Sequence, residues 1–246
     1  MLRVVAIVQA RMGSHRLPGK VLADLAGASM LARVVERVLD ATMIDSVVIA
    51  TSTAPADDAI VDACVRLAVP VFRGSETDVL SRYVGAARAH RATTVVRVTA
   101  DCPLLDPEVI DRVVSSLGPE VDYASNTHER TYPRGLDVEA LHADTLWRLD
   151  RLGTSSSARE HVTAFLMEAP ALFRIRHVRA DHDDSQLRWT VDTPEDLAMV
   201  RGVYERFQLA TVRRPYRELV TALVDAPELS ALNAHVEQKP WTDHAK

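Results

Sequence analysis

The sequence has little cysteine: Cys64 and Cys102 are the two it contains. Two thiols with no Cys-x-x-Cys element exclude a disulfide framework and argue against a structural zinc site. Long apolar runs are missing as well. No stretch reaches the roughly 18 uncharged residues that a membrane span needs. The N-terminus enters an apolar strand pattern without the apolar core and small-residue cleavage site of a secretory signal. The expectation is a cytoplasmic protein that does not enter a membrane. A basic excess is missing too. The formal net charge is −5, where a nucleic-acid-binding chain is usually basic. No internal repeat or low-complexity linker interrupts the chain. What is present is an ordinary soluble balance, 47% apolar and 26% charged residues over 246 positions. That suits one large domain, or one domain with an appendage.

Apolar runs alternate with amphipathic stretches through the first half. "RVVAIVQ", "SVVIAT", "VPVFRG" and "TTVVRVTA" read as strands. Between them, "SMLARVVERVLDA" starts a helix at Ser29, "ADDAIVDACVRLA" carries Ile60, Ala63, Cys64 and Leu67 at helical spacing, and "SETDVLSRYVGAARAH" opens with Ser75 and Asp78 at capping-box spacing. Asp106 and Pro107 start a fourth helix. This alternation predicts an α/β three-layer sandwich, a mainly parallel sheet whose ligands sit beyond the C-terminal strand ends. From about 119 to 142 the pattern turns strand-like, an antiparallel excursion expected to form a hairpin or lid. Helices are then expected at "ADTLWRLDRLG", "SSAREHVTAFLME" and "TPEDLAMVRGVYERF", and strands at "LFRIRHV" and "QLRWTV". Residues 1–208 read as one domain. Residues 209–246 read as a helical extension, with Tyr216, Leu219, Val220, Leu223 and Val224 on one face.

The loop after the first strand concentrates positive charge. Between Ala10 and Lys20 stand Arg11, His15, Arg16 and Lys20, with no acid, and Gly13 and Gly19 permit close backbone approach. Backbone N–H groups, Arg forks and a mobile Lys are what a triphosphate requires. The loop is not a Walker motif, because Val21 stands where a metal-binding Ser or Thr belongs. It is not a dinucleotide fingerprint either. By composition alone, a solvated basic turn accounts for it equally well.

"ARMGSHRLPGKVL" resembles the first-strand loop of the sugar-acid cytidylyltransferases, the group that activates 3-deoxy-manno-octulosonate and sialic acids. The branch it is most similar to is that of spore coat polysaccharide biosynthesis protein F. The resemblance continues in order through "IATSTAPADDAIV", "VFRGSETDVLSRY", "RVTADCPLLDPEVID", "TYPRGLDVE", "REHVT" and "LRWTVDTPEDL". It implies a Rossmann-like (GT-A-like) nucleotidyltransferase fold, CTP as donor, Mg²⁺ as cofactor, a CMP-linked product and a homodimer. It also implies that Arg11, Ser14, Arg16 and Lys20 wrap the nucleotide phosphates. Base and ribose contacts fall, by the same resemblance, at Arg73, Gly74 and Ser75, although Ser75 serves as well for a helix cap.

Two carboxylates follow predicted strands, Asp101 after "VVRVTA" and Asp192 after "LRWTV". Mg²⁺ takes one or two carboxylates with phosphates and water. Two parallel strands ending side by side would bring both to one metal, or to a pair, and the resemblance assigns both to the metal side. Main-chain groups of Val8 and Ala10 are further candidates for reading the base. For the acceptor, the excursion supplies Asn126, Arg130, Tyr132, Arg134 and Gly135, with Arg134 the first choice for an acidic group. Asp137 and Glu139 alternate along it and face one side if it is a strand. Arg159, Glu160 and His161 follow on a helix. His161 is a candidate base or an ordinary hydrogen-bonded histidine. Arg188 and Trp189 either line the pocket or belong to the core. "DHDD", Asp181 to Asp184, reads as a solvated turn.

The function expected is metal-assisted transfer of CMP from CTP to a small acidic acceptor, with pyrophosphate leaving and Arg16, Lys20 and Asp101 doing the chemistry. Rival readings change the acceptor to a polyol phosphate or phosphonate, or the donor to GTP. A glycosyltransferase usually carries Asp-x-Asp, where this chain has "ADC". A non-catalytic nucleotide-binding scaffold is the remaining class.

Overall fold

A computed structural model describes residues 2–238. Its strands in chain order are β1 (Val4–Gln9), β2 (Asp24–Leu25), β3 (Ala28–Ser29), β4 (Ser46–Ser52), β5 (Val71–Gly74), β6 (Thr94–Thr99), β7 (Tyr123–Ser125), β8 (Glu139–His142) and β9 (Ile175–His177). Seven of them form one sheet in the order β5-β4-β1-β6-β8-β7-β9, and β2 pairs with β3 in a small separate ribbon. The first four sheet strands are mutually parallel, as the alternation predicts. Helices α1 (Met30–Leu39), α2 (Asp58–Leu67), α3 (Val79–Ala89) and α4 (Pro107–Ser115) follow their strands. Ser29 accepts the N–H of Ala32 and Asp106 that of Glu108, so both predicted caps form. On α3 the cap is Asp78, which accepts from Ser81, while Ser75 accepts from Asp78 one turn earlier.

Strand residues point alternately to the two faces, and two cores result. Ala6, Val8, Val47, Ile49, Val96 and Val98 pack with α1, α2 and α4. Val5, Ile7, Val48, Ala50 and Val95 pack with α3. Helices α5 (Ala143–Leu152) and α7 (Ala164–Glu168) join the second layer, and α8 (Pro194–Arg206) joins the first. The C-terminal helices α9 (Tyr216–Val224) and α10 (Pro227–Ala231) lie on the same side as α8. Leu219 and Leu223 are buried there, but Val224 is 73% exposed, so it leaves the apolar face expected of it. Residues 239–246 of the expected extension lie outside the described residues.

Three segments depart from expectation. The excursion forms the expected antiparallel pair, β7 with β8, but as part of the main sheet and not as a surface lid. Strand β8 enters the sheet antiparallel to both β6 and β7, because its apolar residues Ala140 and Leu141 find one core on each face. "QLRWTV" is extended but forms no ladder strand, since the place beside β6 is taken by β8. A parallel bridge, Arg134 to Arg188, and the hydrogen bond from Val191 to the Asp101 carbonyl tie its main chain in place of a ladder. "SSAREHVTAFLME" is broken into α6 (Ser156–His161) and α7 by Val162, at φ 60° and ψ −59°. The N–H of Thr163 donates to the carbonyl of His161 at 2.6 Å across it. This is a γ-turn of the strained hand, rare for a β-branched residue, and it falls just after His161.

Candidate active site

The loop from Ala10 to Lys20 leaves β1 and folds back over the strand ends. Gly19 turns it at φ 71°, a left-handed value that favours glycine, and the next residue, Lys20, points inward. Its ammonium is 8% exposed by residue and donates to Asp101 Oδ2 at 2.8 Å, Asp192 Oδ1 at 2.8 Å and the carbonyl of Val191 at 2.7 Å. Arg16 Nη2 lies 3.1 Å from the other side of Asp192. Burial works against the Lys20 charge, but Asp101 and Asp192 overcome it and hold the ammonium above its ordinary pKa. Burial likewise opposes ionisation of Asp101. Lys20, joined by the Thr99 hydroxyl, outweighs it and keeps the carboxyl below the usual range. The cationic loop and both carboxylates therefore meet at one point.

Asp101 arrives there by ending β6, as expected. Asp192 does not arrive on a neighbouring parallel strand. The N–H of Val191 donates to the Asp101 carbonyl at 2.8 Å, which draws the two side chains together without a ladder. Arg188 Nη2 also donates to Asp192, at 3.0 Å.

Above this point opens a cavity of about 650 Å³, lined by Gln9, Ala10, Arg11, Ser14, His15, Arg16, Lys20, Thr99, Asp101, Arg134, Asp137, His161, Asp192 and Gln238 among others. A second cavity, of about 370 Å³, is lined by Arg97, Thr127, His128, Arg130, Arg134, His161, Thr163, Ala164 and Met167. Arg134 and His161 line both. In the second cavity two of the arginines are neutralised. Arg97 pairs with Glu139, and Arg130 grips Asp137 through both carboxylate oxygens. Arg134 has no carboxylate partner among the described residues. Burial and the nearby Arg130 lower its pKa.

Other predicted site residues turn out to serve the fold. Tyr132 is fully buried against Tyr216. Asn126 is 1% exposed and clamps the excursion, donating to the Leu136 carbonyl and accepting from Val138 N–H. Gly135, at φ 106°, lies against Trp189 and Thr190, where a Cβ would come within 2.5 Å of their main chain. Arg73 turns away from the cavity to the carbonyls of Ser52 and Ala54 and to Asp58. Gly74, Ser75 and Glu160 line neither cavity, and Val8 is paired on both sides inside the sheet. Asp137 faces the large cavity while Glu139 is buried under the small one, because β8 begins only at Glu139. Arg159 ties α6 to Asp78 and Asp150, and Trp189 belongs to the core. Asp184 is not solvated but buried and paired with Arg217.

Gln9, Thr99 and Gln238 line the large cavity without having been singled out in the sequence, and Arg82, which is buried and lines neither cavity, was not singled out either. Gln9 ends β1 with its Oε1 buried and unpartnered. Arg82, 1% exposed beneath the Gly74 turn, donates Nη1 to the Ser75 carbonyl and leaves Nε and Nη2 without a partner. Burial lowers its pKa, and Arg11 adds to this. The only signal was an arginine on the apolar side of an amphipathic helix.

A mainly parallel sheet with a cationic loop at its strand tips, joined to two carboxylates at the floor of a cavity of about 650 Å³, defines a nucleotidyltransferase. The family model described as cytidylyltransferase matches residues 5–214. Spore coat polysaccharide biosynthesis protein SpsF of Bacillus subtilis is 35% identical over 82% of this chain and 87% of its own. The 3-deoxy-manno-octulosonate cytidylyltransferase of Anaeromyxobacter sp. (strain Fw109-5) is 32% identical over 82% of this chain and 97% of its own. A solved cytidylyltransferase structure from Leptospira borgpetersenii superposes with a TM-score of 0.88 at 28% identity, covering 98% of this chain and all of the other. The chain belongs to the cytidylyltransferase family.

Proposed function

We propose that the protein transfers CMP from CTP to a hydroxyl of a sugar acid. One observation carries this reading: Lys20, Arg16, Asp101 and Asp192 converge on a single point at the floor of the large cavity. The triphosphate lies along the Ala10–Lys20 loop, with Arg11, Ser14, Arg16 and Lys20 on its oxygens. The acceptor occupies the small cavity, its carboxylate on Arg134, the guanidinium there that no acid neutralises. The acceptor oxygen attacks the α-phosphorus in line, the bond from that phosphorus to the bridging oxygen breaks, and pyrophosphate leaves. The hydroxyl proton departs towards His161, which lines both cavities. Positioning and electrostatics carry the rate.

Mg²⁺ is part of this reading. The residues fit it: two carboxylates already share one cation, the Lys20 ammonium, and both are hard oxygen donors. Asp101 and Asp192 would hold the ion. When bound, it offsets charge on the α-phosphate and the leaving pyrophosphate. The resemblance to the family also supports a homodimer in the cytoplasm, which sedimentation and fractionation check. The activity test incubates the protein with CTP, Mg²⁺ and a panel of sugar acids, with pyrophosphate release as readout. Release dependent on one sugar acid is expected. Release with polyol phosphates or phosphonates alone, or from GTP in place of CTP, overturns the reading.

A further inference from the structure

Asp192 stands on a segment that belongs to no ladder. The bridge to Arg134, hydrogen bonds from the Val191 N–H and the Thr190 hydroxyl to the Asp101 carbonyl, and the Lys20 ammonium on the Val191 carbonyl anchor residues 187–192. A carboxylate that must meet a metal within a few tenths of an ångström also needs its own side chain and flanking main chain fixed. The support comes from Arg188 and Asp196. Arg188 donates Nη2 to Asp192, and both Nε and Nη2 to Asp196, at 2.8–3.0 Å. Asp196, fully buried, also accepts the main-chain N–H groups of Asp192 and Thr193.

The C-terminal segment closes this network. Asn233, 3% exposed, donates its one amide nitrogen both to the Arg188 carbonyl at 3.0 Å and to Asp196 Oδ1 at 2.9 Å. It thus grips the main chain of Arg188 and the partner of its side chain together. Gln238 accepts from Arg188 Nη1 at 2.7 Å and lines the large cavity. The segment is seated where α8 has glycine: a Cβ at Gly202 would come within 2.6 Å of Leu229 Cδ2.

We infer that the C-terminal segment completes the active site, and that Asn233 is a positioning residue which sets Asp192 for the metal through Arg188 and Asp196. The inference rests on the reading of Asp192 as a metal carboxylate. The test is Mn²⁺ affinity, measured by calorimetry with CTP present and no acceptor, beside the Mg²⁺ concentration that gives half-maximal turnover. In Asn233→Ala the Mn²⁺ dissociation constant and the half-maximal Mg²⁺ concentration both rise about tenfold, the low end of what loss of a ligand's support costs, while the CTP KM at saturating Mg²⁺ stays within about twofold of the parent. Gln238→Ala, at the exposed end of the network, shifts both the same way by about threefold. Leu219→Ala, which only loosens packing, lowers Tm and moves neither. Parent-like Mn²⁺ affinity in Asn233→Ala overturns the inference, as does an equal shift in Leu219→Ala. Should Asn233→Ala not fold, an unchanged Gln238→Ala overturns it instead. Asp192→Asn separates the two levels: if that variant keeps the parent Mn²⁺ affinity, the metal reading itself is wrong.

Discussion

An ammonium held by two carboxylates and a carbonyl oxygen, as Lys20 is, occupies the place proposed above for Mg²⁺. It holds the Asp101 and Asp192 carboxylates together on one cation in the nucleotide-free protein, where two like charges so close would otherwise repel. Lys20→Met is therefore expected to raise Mn²⁺ affinity of the nucleotide-free protein by about tenfold, ~1.4 kcal/mol, while turnover with CTP falls. Calorimetry and pyrophosphate release read the two effects separately. Asp101→Asn is expected to keep the fold and lose more than about 100-fold in kcat, since loss of mere ligand support already costs 10–100-fold. A fully active variant would remove Asp101 from the metal. Asp101 was legible because it follows an apolar strand run, and Lys20 because it belongs to a basic loop without an acid. Arg82 was not, because its burial depends on the Gly74 turn lying above it.

Helix α8 and the excursion loop show how local elements aim the site. Thr193 and Asp196 form a capping box, and the same Asp196 carboxylate holds Arg188 and the Asp192 main chain. Burial opposes its ionisation, but its hydrogen bonds outweigh this and depress its pKa. A depressed carboxyl contributes stability above the ordinary carboxylate value of about 3.9, and that contribution is lost as pH falls through the folded value. Asp196→Ala should therefore lose about 3 kcal/mol at neutral pH, leaving Arg188 with one acid fewer. It should also show a flatter decline below about pH 4 than the parent, read from urea midpoints across pH. Gly135→Ala forces a side chain to φ 106° and into the Trp189–Thr190 main chain. The expected loss is about 3 kcal/mol or more, with reduced turnover because the Arg134 bridge shifts. Caps and helix positions were readable from local residue order. The break at Val162 was not, because that turn opposes the local preference of a β-branched residue.

Through the molecule as a whole, one core runs from β1 to α9: Leu209, Leu219 and Leu223 belong to the same cluster as Ala6 and Val8. Unfolding of the C-terminal helices is thereby coupled to unfolding of the sheet. Leu219→Ala should cost about 2–5 kcal/mol and leave a single transition, with helix content and CTP binding lost together. Two separate transitions would show that the C-terminal helices fold apart from the sheet.

Residue order alone was enough for the parallel strands, the caps and the pairing of a basic loop with Asp101 and Asp192, because hydrophobic period and strand-end chemistry are local properties. The three-dimensional fold assigned the rest. It sent β8 rather than "QLRWTV" to the place beside β6, buried Tyr132 and Asn126, left Arg134 without an ion pair among the described residues, and brought Asn233 to Arg188. Those outcomes follow from which segments compete for one sheet position and which charges find partners far away in the chain, and no local pattern records either.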